Sequence, residues 1–312
     1  MRFLFVGAGA LGGYFGGRLI EAGRDVTFLL RARRAAQLQR TGLVVRSPAG
    51  DLQLPTPPHL LSEQLSEPFD VVVVGCKAYD LEETMNSFAA AVGPDTLILP
   101  LLNGMQHVDR LVERFGSDKV LGGLCMISAT LDPEGTVLHL NPLHGLTYGE
   151  RDGSQSKRVD ALRAEFEGAK FDATASDAIL QAMWEKWVFI ASAAGLTSLM
   201  RASIGDIMAA GGRDVALSIF DECAAIAAHN GYAPRAEAVE RGHAMLTAEG
   251  SPMTASMYRD IQLNAPVEAD HILGDLLERA APAPTGASPT VLRTADVHLK
   301  AYEAQRVRLA AK

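Results

Sequence analysis

Residues Arg2–Leu30 (RFLFVGAGALGGYFGGRLIEAGRDVTFLL) decide the fold of this chain. They begin with the apolar run Arg2–Val6, which is typical of a buried strand, and continue into the G-x-G-x-x-G pattern of Gly7–Gly12. A helical pattern then runs from Leu11 to Ala22, and Asp25–Leu30 is again typical of a strand. Strand, glycine turn, helix and strand within thirty residues predict a dinucleotide-binding βαβ unit.

The positions in the glycine motif have distinct roles in such a unit. Gly7 allows a tight turn, Gly9 lets a pyrophosphate approach the backbone, and Gly12 lets helix and strand pack closely. The first amides of the helix, at Ala10 and Leu11, offer N–H groups and a partial positive charge to the phosphates. The early apolar run also has some character of a secretory leader, but six glycines interrupt it and the strand pattern resumes.

The residues after the second strand predict the choice of cofactor. An NAD site usually places Asp or Glu about 20 residues beyond the glycines, where it bonds the ribose 2′-hydroxyl. Here Arg31, Arg33 and Arg34 occupy this region without a carboxylate. Guanidinium groups suit a 2′-phosphate, so we expect NADP(H); the alternative is a solvated basic turn.

Three further segments indicate strands. Gly42–Leu54 has the pattern of an antiparallel excursion, and Asp70–Gly75 and Thr96–Leu101 are continuously apolar, as in a parallel sheet covered on both faces. Lys77 follows the second of these segments, and Asn103 follows the third. Ligands bind beyond the carboxyl ends of such strands, so both residues are candidate cofactor contacts, the alternatives being a surface lysine and a plain turn.

The composition is that of a globular protein, with 312 residues, 48% hydrophobic and 21% charged. The net charge of −8 argues against nucleic acid or an anionic membrane surface as a partner. No apolar run approaches the roughly 20 residues of a membrane span. Cys76, Cys125 and Cys223 have no metal-site spacing, so we expect no metal and a reducing, cytoplasmic setting.

The pattern changes from mixed to helical near residue 172. We therefore predict an α/β fold class with a Rossmann-type dinucleotide-binding domain over residues 1–172 and an all-α substrate domain over residues 173–312. Ala178–Met200 is one long helical stretch, and Ser256–Leu277 is predicted as a single helix. Ala280–Pro289 has the composition of a connector.

Several separated motifs, in this order, resemble the ketopantoate reductase (2-dehydropantoate 2-reductase) family over essentially the whole length. These motifs are Gly7–Gly12, Arg31, Lys77-Ala78, Asn103-Gly104-Met105, Trp184-Glu185-Lys186, and Ser256-Met257 followed by Glu268. The resemblance implies NADPH-dependent reduction of a 2-oxo acid to a 2-hydroxy acid. It also implies that Arg31 contacts the 2′-phosphate and that Lys77 lies on the cofactor side.

In the second domain, the resemblance implies a catalytic Lys186 that donates a proton to the keto oxygen, and Glu268 as the carboxylate that works with it. It implies that Asn103 lies between nicotinamide and substrate and that Ser256 contacts the substrate carboxylate. The chemistry agrees, because hydride transfer to a ketone develops negative charge on oxygen, which a nearby cation stabilises. The alternative for Lys186 is a surface lysine at a helix edge. Ser256 and Glu268, twelve residues apart, are expected to share a helix face.

One departure from the family concerns the substrate. Ile190 and Ala194 lie at i+4 and i+8 from Lys186, where the resemblance implies asparagines that bind the polar side of ketopantoate. An apolar pocket would strand a substrate hydroxyl at a cost of about 1–3 kcal/mol. Either the substrate's tail is apolar, or Ser192 or Thr197 supplies the polar contacts instead.

The sequence therefore predicts reduction of 2-dehydropantoate to pantoate, a step of pantothenate biosynthesis, or of a 2-oxo acid with a branched or aromatic tail. A non-catalytic NADP(H)-binding sensor is the alternative from another class, and it would need none of Lys186, Asn103 and Glu268. The expected partner is the small-molecule acid. The apolar helices of the second domain would also allow a homodimer.

Overall fold

The computed structural model describes residues 1–282 and 290–310. The chain divides into two compact units: Met1–Leu102 with His107–Ile179, and Asn103–Gln106 with Leu180–Lys312. The division after Ile179 lies seven residues beyond the predicted boundary at residue 172. The reason is that Asp172–Ala175 forms a strand that pairs with the first unit's second sheet.

The first unit alternates strands and helices. Its elements are β1 (Arg2–Val6), α1 (Ala10–Glu21), β2 (Asp25–Leu30), α2 (Ala32–Thr41), β3 (Leu43–Arg46), β4 (Leu52–Leu54), β5 (His59–Leu61), β6 (Val71–Val74), α3 (Leu81–Phe88), β7 (Leu97–Pro100), α4 (Gln106–Phe115), β8 (Gly122–Leu131), β9 (Val137–Gly149), α5 (Lys157–Phe166) and β10 (Asp172–Ala175). The main sheet has the order β5-β2-β1-β6-β7, and all of its strands are parallel.

The parallel sheet confirms the fold predicted from the opening stretch. β1 and β2 have the predicted bounds, and the four valines of β6 are all buried. Continuous burial is what a strand with both faces covered requires, since neither face meets water. Because β1 lies between β2 and β6, the turn after β1 stands at the point where the strand order reverses, which is the usual ligand position of such sheets.

A second sheet flanks the first and was not predicted as such. It has the order β10-β9-β3-β4, with β8 paired to β9 in a long antiparallel hairpin. The predicted antiparallel excursion is confirmed, because β3 and β4 pair through Leu43 and Leu54. The excursion joins this sheet through parallel pairing of Val45 with Val137.

The second unit is helical and confirms the predicted all-α character. Its helices are α6 (Ile179–Met200), α7 (Ile204–Ala209), α8 (Arg213–His229), α9 (Ala236–Leu246), α10 (Ser256–Gln262), α11 (Asp275–Glu278) and α12 (Val291–Ala310). None of the helices in the two described ranges is both long and apolar enough to cross a bilayer. The predicted connector Ala280–Pro289 falls mostly on residues 283–289, outside the described residues.

The prediction of a single helix over Ser256–Leu277 was wrong. α10 ends at Gln262, and helical structure resumes as a π-helical turn at Asp270–Gly274. Asn264 adopts a left-handed conformation with φ of 53°, which ends a helix. Pro266 then has no N–H to donate and restricts the residue before it. Ser256 and Glu268 therefore do not share a helix face.

Helix α6 is fixed within the second unit by the two residues before Lys186. The buried ring of Trp184 stacks on Tyr232, with centroids 5.4 Å apart. The Glu185 carboxylate accepts from Arg235 Nε at 2.7 Å and Nη2 at 2.6 Å, and from the Arg235 backbone N–H at 2.9 Å. Burial opposes ionisation, but the hydrogen bonds outweigh it and hold the pKa of Glu185 below its usual value.

Replacing Glu185 with Gln should lower the free energy of unfolding by about 1–2 kcal/mol at pH 7, because it removes a charge-assisted pair with an exposed partner. Since the folded pKa lies below the unfolded one, this stabilisation is present above about pH 4.5 and is lost as the pH falls through the folded value. The difference between wild type and E185Q should therefore shrink below about pH 4.5.

Urea unfolding followed by tryptophan fluorescence measures this difference, since both tryptophans lie in α6. The E249Q variant, at an exposed carboxylate, is the control and should match the wild type. A difference that stays constant from pH 7 to pH 3 would contradict the assignment.

Candidate functional site

The turn after β1 has the geometry of a phosphate-binding turn. Gly7 has a φ of +93°, which L side chains rarely adopt. A Cβ on Gly12 would collide with the carbonyl oxygen of Gly7, so close packing of helix on turn requires glycine there. The first bond of α1 runs from the Gly13 N–H to the Gly9 carbonyl at 2.8 Å. The amides of Ala10 and Leu11 precede that bond.

Gly9 shows that the turn fits a dinucleotide. Its φ of −75° is ordinary, and a Cβ at this position would meet no atom within 4 Å. The polypeptide itself therefore does not require glycine at residue 9, whereas a pyrophosphate lying on the backbone would. The first turn of α1 contains no acidic side chain that would repel a phosphate.

Arg31 lies at the carboxyl end of β2 and is exposed. Its Nη2 lies 3.0 Å from Glu83 Oε2 and 3.7 Å from Asp80 Oδ1, so the guanidinium is held in an ion pair with carboxylates near the start of α3. The structure thus places the predicted arginine at the ligand edge of the sheet. It also adds two carboxylates that the spacing rule for NAD sites did not anticipate, since they come from beyond β6 rather than from β2.

The other basic residues at this edge have different surroundings. Arg34 Nε donates to the Ala8 carbonyl at 3.0 Å, and its Nη1 donates to the Gly135 carbonyl at 3.0 Å. Arg34 therefore braces the glycine turn from within the unit, and burial lowers its pKa. Lys77 is half-buried and immediately precedes a short turn of 3₁₀ helix after β6, at the carboxyl edge where it was expected.

The second unit contains a cavity of about 140 Å³ that brings together most of the predicted substrate residues. Its lining is mainly apolar with a few polar groups. It comprises Asn103, Phe189, Ile190, Ala193, Ala194, Met253, Thr254, Ala255, Ser256, Met257, Glu268 and Ile272. An engineered cavity of similar volume in another protein binds benzene, so this volume is enough for a small organic ligand.

Helix α6 forms the apolar wall of the cavity. Ile190 and Ala194 lie one and two turns beyond Lys186 in the helix, and both line the cavity, whereas Lys186 is half-buried and is not among the lining residues. The polar substitutes considered for them are occupied elsewhere. Ser192 Oγ donates to the Val188 carbonyl at 2.7 Å.

Thr197 is also bonded within the protein. Its Oγ1 donates to the Ala193 carbonyl at 2.7 Å and accepts from the Ala255 N–H at 3.3 Å. The hydroxyl thus supports the backbone beside Ser256 and does not line the cavity. Neither hydroxyl therefore makes the α6 wall of the cavity polar.

Asn103 is held by a residue that the sequence analysis missed. The buried His271 donates from Nε2 to the Asn103 carbonyl at 2.6 Å. A Cβ on Gly104 would lie 3.2 Å from that ring, and Gly104 has a φ of +82°, so the Asn-Gly pair is needed for this close approach. His271 lies in the π-helical turn, and such turns are frequent at functional sites. The one indication of His271 in the sequence is its position three residues after Glu268.

Ser256 and Glu268 both line the cavity although a helix break separates them. Ser256 is the first residue of α10, and Glu268 directly precedes the helical turns that end at Glu278. The intervening loop is fixed by α12, because the Val267 N–H donates to Glu303 Oε1 at 2.7 Å and Tyr302 Oη donates to the Ala265 carbonyl at 2.8 Å. Tertiary contacts therefore produce the proximity that was expected from one helix.

Apart from Met257, which belongs to a quoted motif, the remaining cavity residues were not singled out from the sequence. Phe189 and Ala193 lie at i+3 and i+7 from Lys186, a spacing that could have identified them. Met253 and Thr254 precede Ser256 in a segment without regular structure, and Ile272 lies in the π-helical turn. No sequence pattern indicates Met253, Thr254 or Ile272, since their positions depend on packing between distant segments.

Comparison with known proteins places this geometry in a family. A family model for ketopantoate reductase PanE/ApbA matches residues 3–153, and its C-terminal counterpart matches residues 178–288. The chain is 37% identical over 307 residues to the uncharacterized oxidoreductase YkpB of Bacillus subtilis, which covers 98% of this chain and all of that protein. It is 28% identical over 280 residues to a 2-dehydropantoate 2-reductase of Archaeoglobus fulgidus, covering 89% and 90%.

A solved structure gives the same result. The 2-dehydropantoate 2-reductase from Geobacter metallireducens is 29% identical and superposes with a TM-score of 0.85 over 96% of this chain and 99% of its own. The glycine turn and these matches define an oxidoreductase that uses a nicotinamide dinucleotide. The chain belongs to the ketopantoate reductase family.

The two glycines of the turn allow a paired test of the dinucleotide site. G9A should keep the fold, with an unfolding free energy within about 1 kcal/mol of wild type, but should weaken NADPH and NADH binding at least about tenfold. G12A should instead destabilise the fold by about 1–3 kcal/mol or more, because its Cβ meets the Gly7 carbonyl. Urea unfolding and titration of cofactor fluorescence measure the two quantities. A G9A protein that binds both cofactors as wild type does would refute the placement of the pyrophosphate.

Proposed function

We propose that this chain catalyses the NADPH-dependent reduction of a small 2-oxo acid with an apolar tail to the 2-hydroxy acid. The observation that carries the proposal is the mixed polar and apolar lining of the cavity in the second unit. Polar groups of Asn103, Thr254, Ser256 and Glu268 lie in a lining that is otherwise apolar. A 2-oxo acid likewise combines a polar carboxylate and ketone with a hydrocarbon tail.

The apolar wall selects the tail. Ile190 and Ala194 offer no hydrogen bond, and the Ser192 hydroxyl is bonded to the backbone of its own helix. A hydroxyl on the tail would lose its water without gaining a partner on that side, at a cost of about 1–3 kcal/mol. That cost corresponds to roughly 5- to 150-fold in kcat/KM. Branched and aromatic tails avoid it.

The polar groups are proposed to orient the acid and to supply the proton. Ser256 is proposed to donate to the substrate carboxylate and Asn103 to the keto group. Lys186 is proposed as the general acid, whose ammonium donates a proton to the keto oxygen as negative charge develops there. Glu268 would hold the Lys186 ammonium and the substrate in position relative to each other. The reduced nicotinamide, when bound, supplies the hydride that reaches carbon 2.

NADPH is proposed over NADH because the segment after β2 carries arginines and no carboxylate. Arg31 is the residue at the carboxyl end of β2 whose guanidinium is exposed to an incoming 2′-phosphate. Arg34 is committed to the Ala8 and Gly135 carbonyls and contributes to the turn instead. We further propose a reducing, cytoplasmic setting, because Cys76, Cys125 and Cys223 have neither metal-site nor C-x-x-C spacing.

Ketopantoate is the second candidate substrate. It is favoured by the family and by the hydroxyl-bearing Thr254 and Ser256, either of which could pair with a hydroxyl of the tail. If ketopantoate is the substrate, the enzyme would serve pantothenate biosynthesis. The two candidates differ in one functional group, so matched substrates can separate them.

The general acid is tested by K186M, which keeps the length of the side chain and removes the ammonium. We expect kcat to fall about 10²- to 10⁴-fold, while the dissociation constant for NADPH stays within about twofold, because the group acts on the keto oxygen. K157M, at an exposed lysine of α5, is the control and should match wild type. Undiminished turnover in K186M would refute the role of Lys186. Tight NADPH binding without turnover of any 2-oxo acid in the wild type would favour a sensor.

The tail is tested with 3,3-dimethyl-2-oxobutanoate, which is ketopantoate without its hydroxyl. The wild type should prefer it over ketopantoate by about 5- to 150-fold in kcat/KM. I190N should shift this ratio toward ketopantoate at least about fivefold by supplying a hydrogen-bonding partner, whereas I190L should leave it nearly unchanged. A wild-type enzyme that strongly prefers ketopantoate would end the proposal of an apolar tail.

A further inference from the structure

The ion pair at Arg31 joins two separate segments of the first unit. Arg31 follows β2 and precedes α2, whereas Asp80 and Glu83 lie at the start of α3, after β6. Their side chains are 62%, 35% and 73% exposed, respectively. An exposed pair of this kind contributes little to stability, commonly about 0–1 kcal/mol, and the favourable place of Glu83 in the first turn of α3 contributes a similarly small amount.

The position of the pair is more informative than its strength. β2 and β6 lie on opposite sides of β1 in the sheet, so the contact from Arg31 to Glu83 spans the carboxyl end of β1. The glycine turn with its open space at Gly9 starts from the same strand end. The ion pair therefore stands at the edge where the adenosine half of a dinucleotide enters such a sheet.

We propose that Glu83, assisted by Asp80, competes with the 2′-phosphate of NADPH for Arg31. This competition sets how strongly the chain discriminates NADPH from NADH. This inference rests on the proposed use of NADPH. The phosphate carries a charge of about −1.5 to −2 near neutral pH, so it must displace the Glu83 carboxylate from Arg31 and then remain close to two negative groups. NADH has no such phosphate and meets no such repulsion. Asp80 and Glu83 are specificity-determining residues that weaken the preference which Arg31 creates.

The size of the effect follows from Coulomb's law. A carboxylate about 6 Å from a doubly charged phosphate in water raises the dissociation constant about tenfold without screening and about threefold near 0.1 M salt. E83Q keeps the shape of the side chain and removes its charge. It should lower the dissociation constant for NADPH about 3- to 10-fold at low ionic strength and leave that for NADH within about twofold.

The neighbouring glutamate provides a matched control. Glu82 is on the same helix turn, but its Oε1 pairs with Arg110 Nη1 at 3.3 Å. E82Q removes the same charge from the same segment, and it should leave the affinities for NADPH and NADH almost unchanged. The D80N/E83Q double variant should strengthen NADPH binding further than E83Q alone. In 0.5 M salt the gain should fall below about twofold, because the Debye length is then only about 4 Å.

The experiment titrates NADPH and NADH fluorescence with wild type, E83Q, E82Q, D80N/E83Q and R31A. A selective gain for NADPH in E83Q but not in E82Q supports the inference. If R31A weakens NADPH selectively but E83Q leaves the NADPH-to-NADH ratio unchanged, competition at Arg31 is refuted and the proposed cofactor stands. If R31A weakens both cofactors equally, or neither, the proposed role of Arg31 fails and the inference fails with it.

Discussion

The close approach of α1 to the turn after β1 is the constraint on which the first unit depends. The Gly12 backbone lies so near the Gly7 carbonyl that no side chain fits between them, and this contact fixes the direction in which the helix leaves the strand. The same contact aims the first amides of α1 at the carboxyl edge of the sheet. Arg34 also supports the turn, through its hydrogen bond to the Ala8 carbonyl. The dinucleotide site is thus built mainly from backbone, which explains why its signature in the sequence is a spacing of glycines.

The parts of the fold that were predictable from the sequence are those whose signals are local. β1 and β2 matched their predicted bounds because apolar strands flanked by glycine are distinct over a few residues. The error at Ser256–Leu277 has an equally local cause, since Asn264 and Pro266 carried a break signal that the periodic pattern outweighed. The second sheet was different. Its parallel pairing of Val45 with Val137 joins residues far apart in the chain, and periodicity contains no information on such pairing.

In the candidate site, too, some residues were predictable from the local sequence, whereas others depend on contacts between distant segments. The placement of Ile190 and Ala194 on one wall followed from helix geometry alone, and the structure has it so. His271 could not be deduced in this way, because its role comes from a contact across 168 residues to the Asn103 carbonyl. Ser256 and Glu268 reach one cavity through a loop that α12 fixes, rather than through a shared helix face. Family motifs can therefore mark residues that line one cavity even where the geometric reason given for their proximity is incorrect.

At the edge of the main sheet, the attraction of Arg31 for a 2′-phosphate must be weighed against the repulsion of that phosphate by Asp80 and Glu83. Spacing rules count the residue at the end of β2, because in many sheets that position alone meets the ribose. Here the acidic residues arrive from the start of α3, on the far side of β1, and reach the same guanidinium. An arginine in this position favours a 2′-phosphate only by the difference between its attraction and the repulsion of its acidic partners. The relevant quantity for cofactor choice is thus the net charge that the folded edge presents, which depends on the order of strands as much as on the sequence after β2.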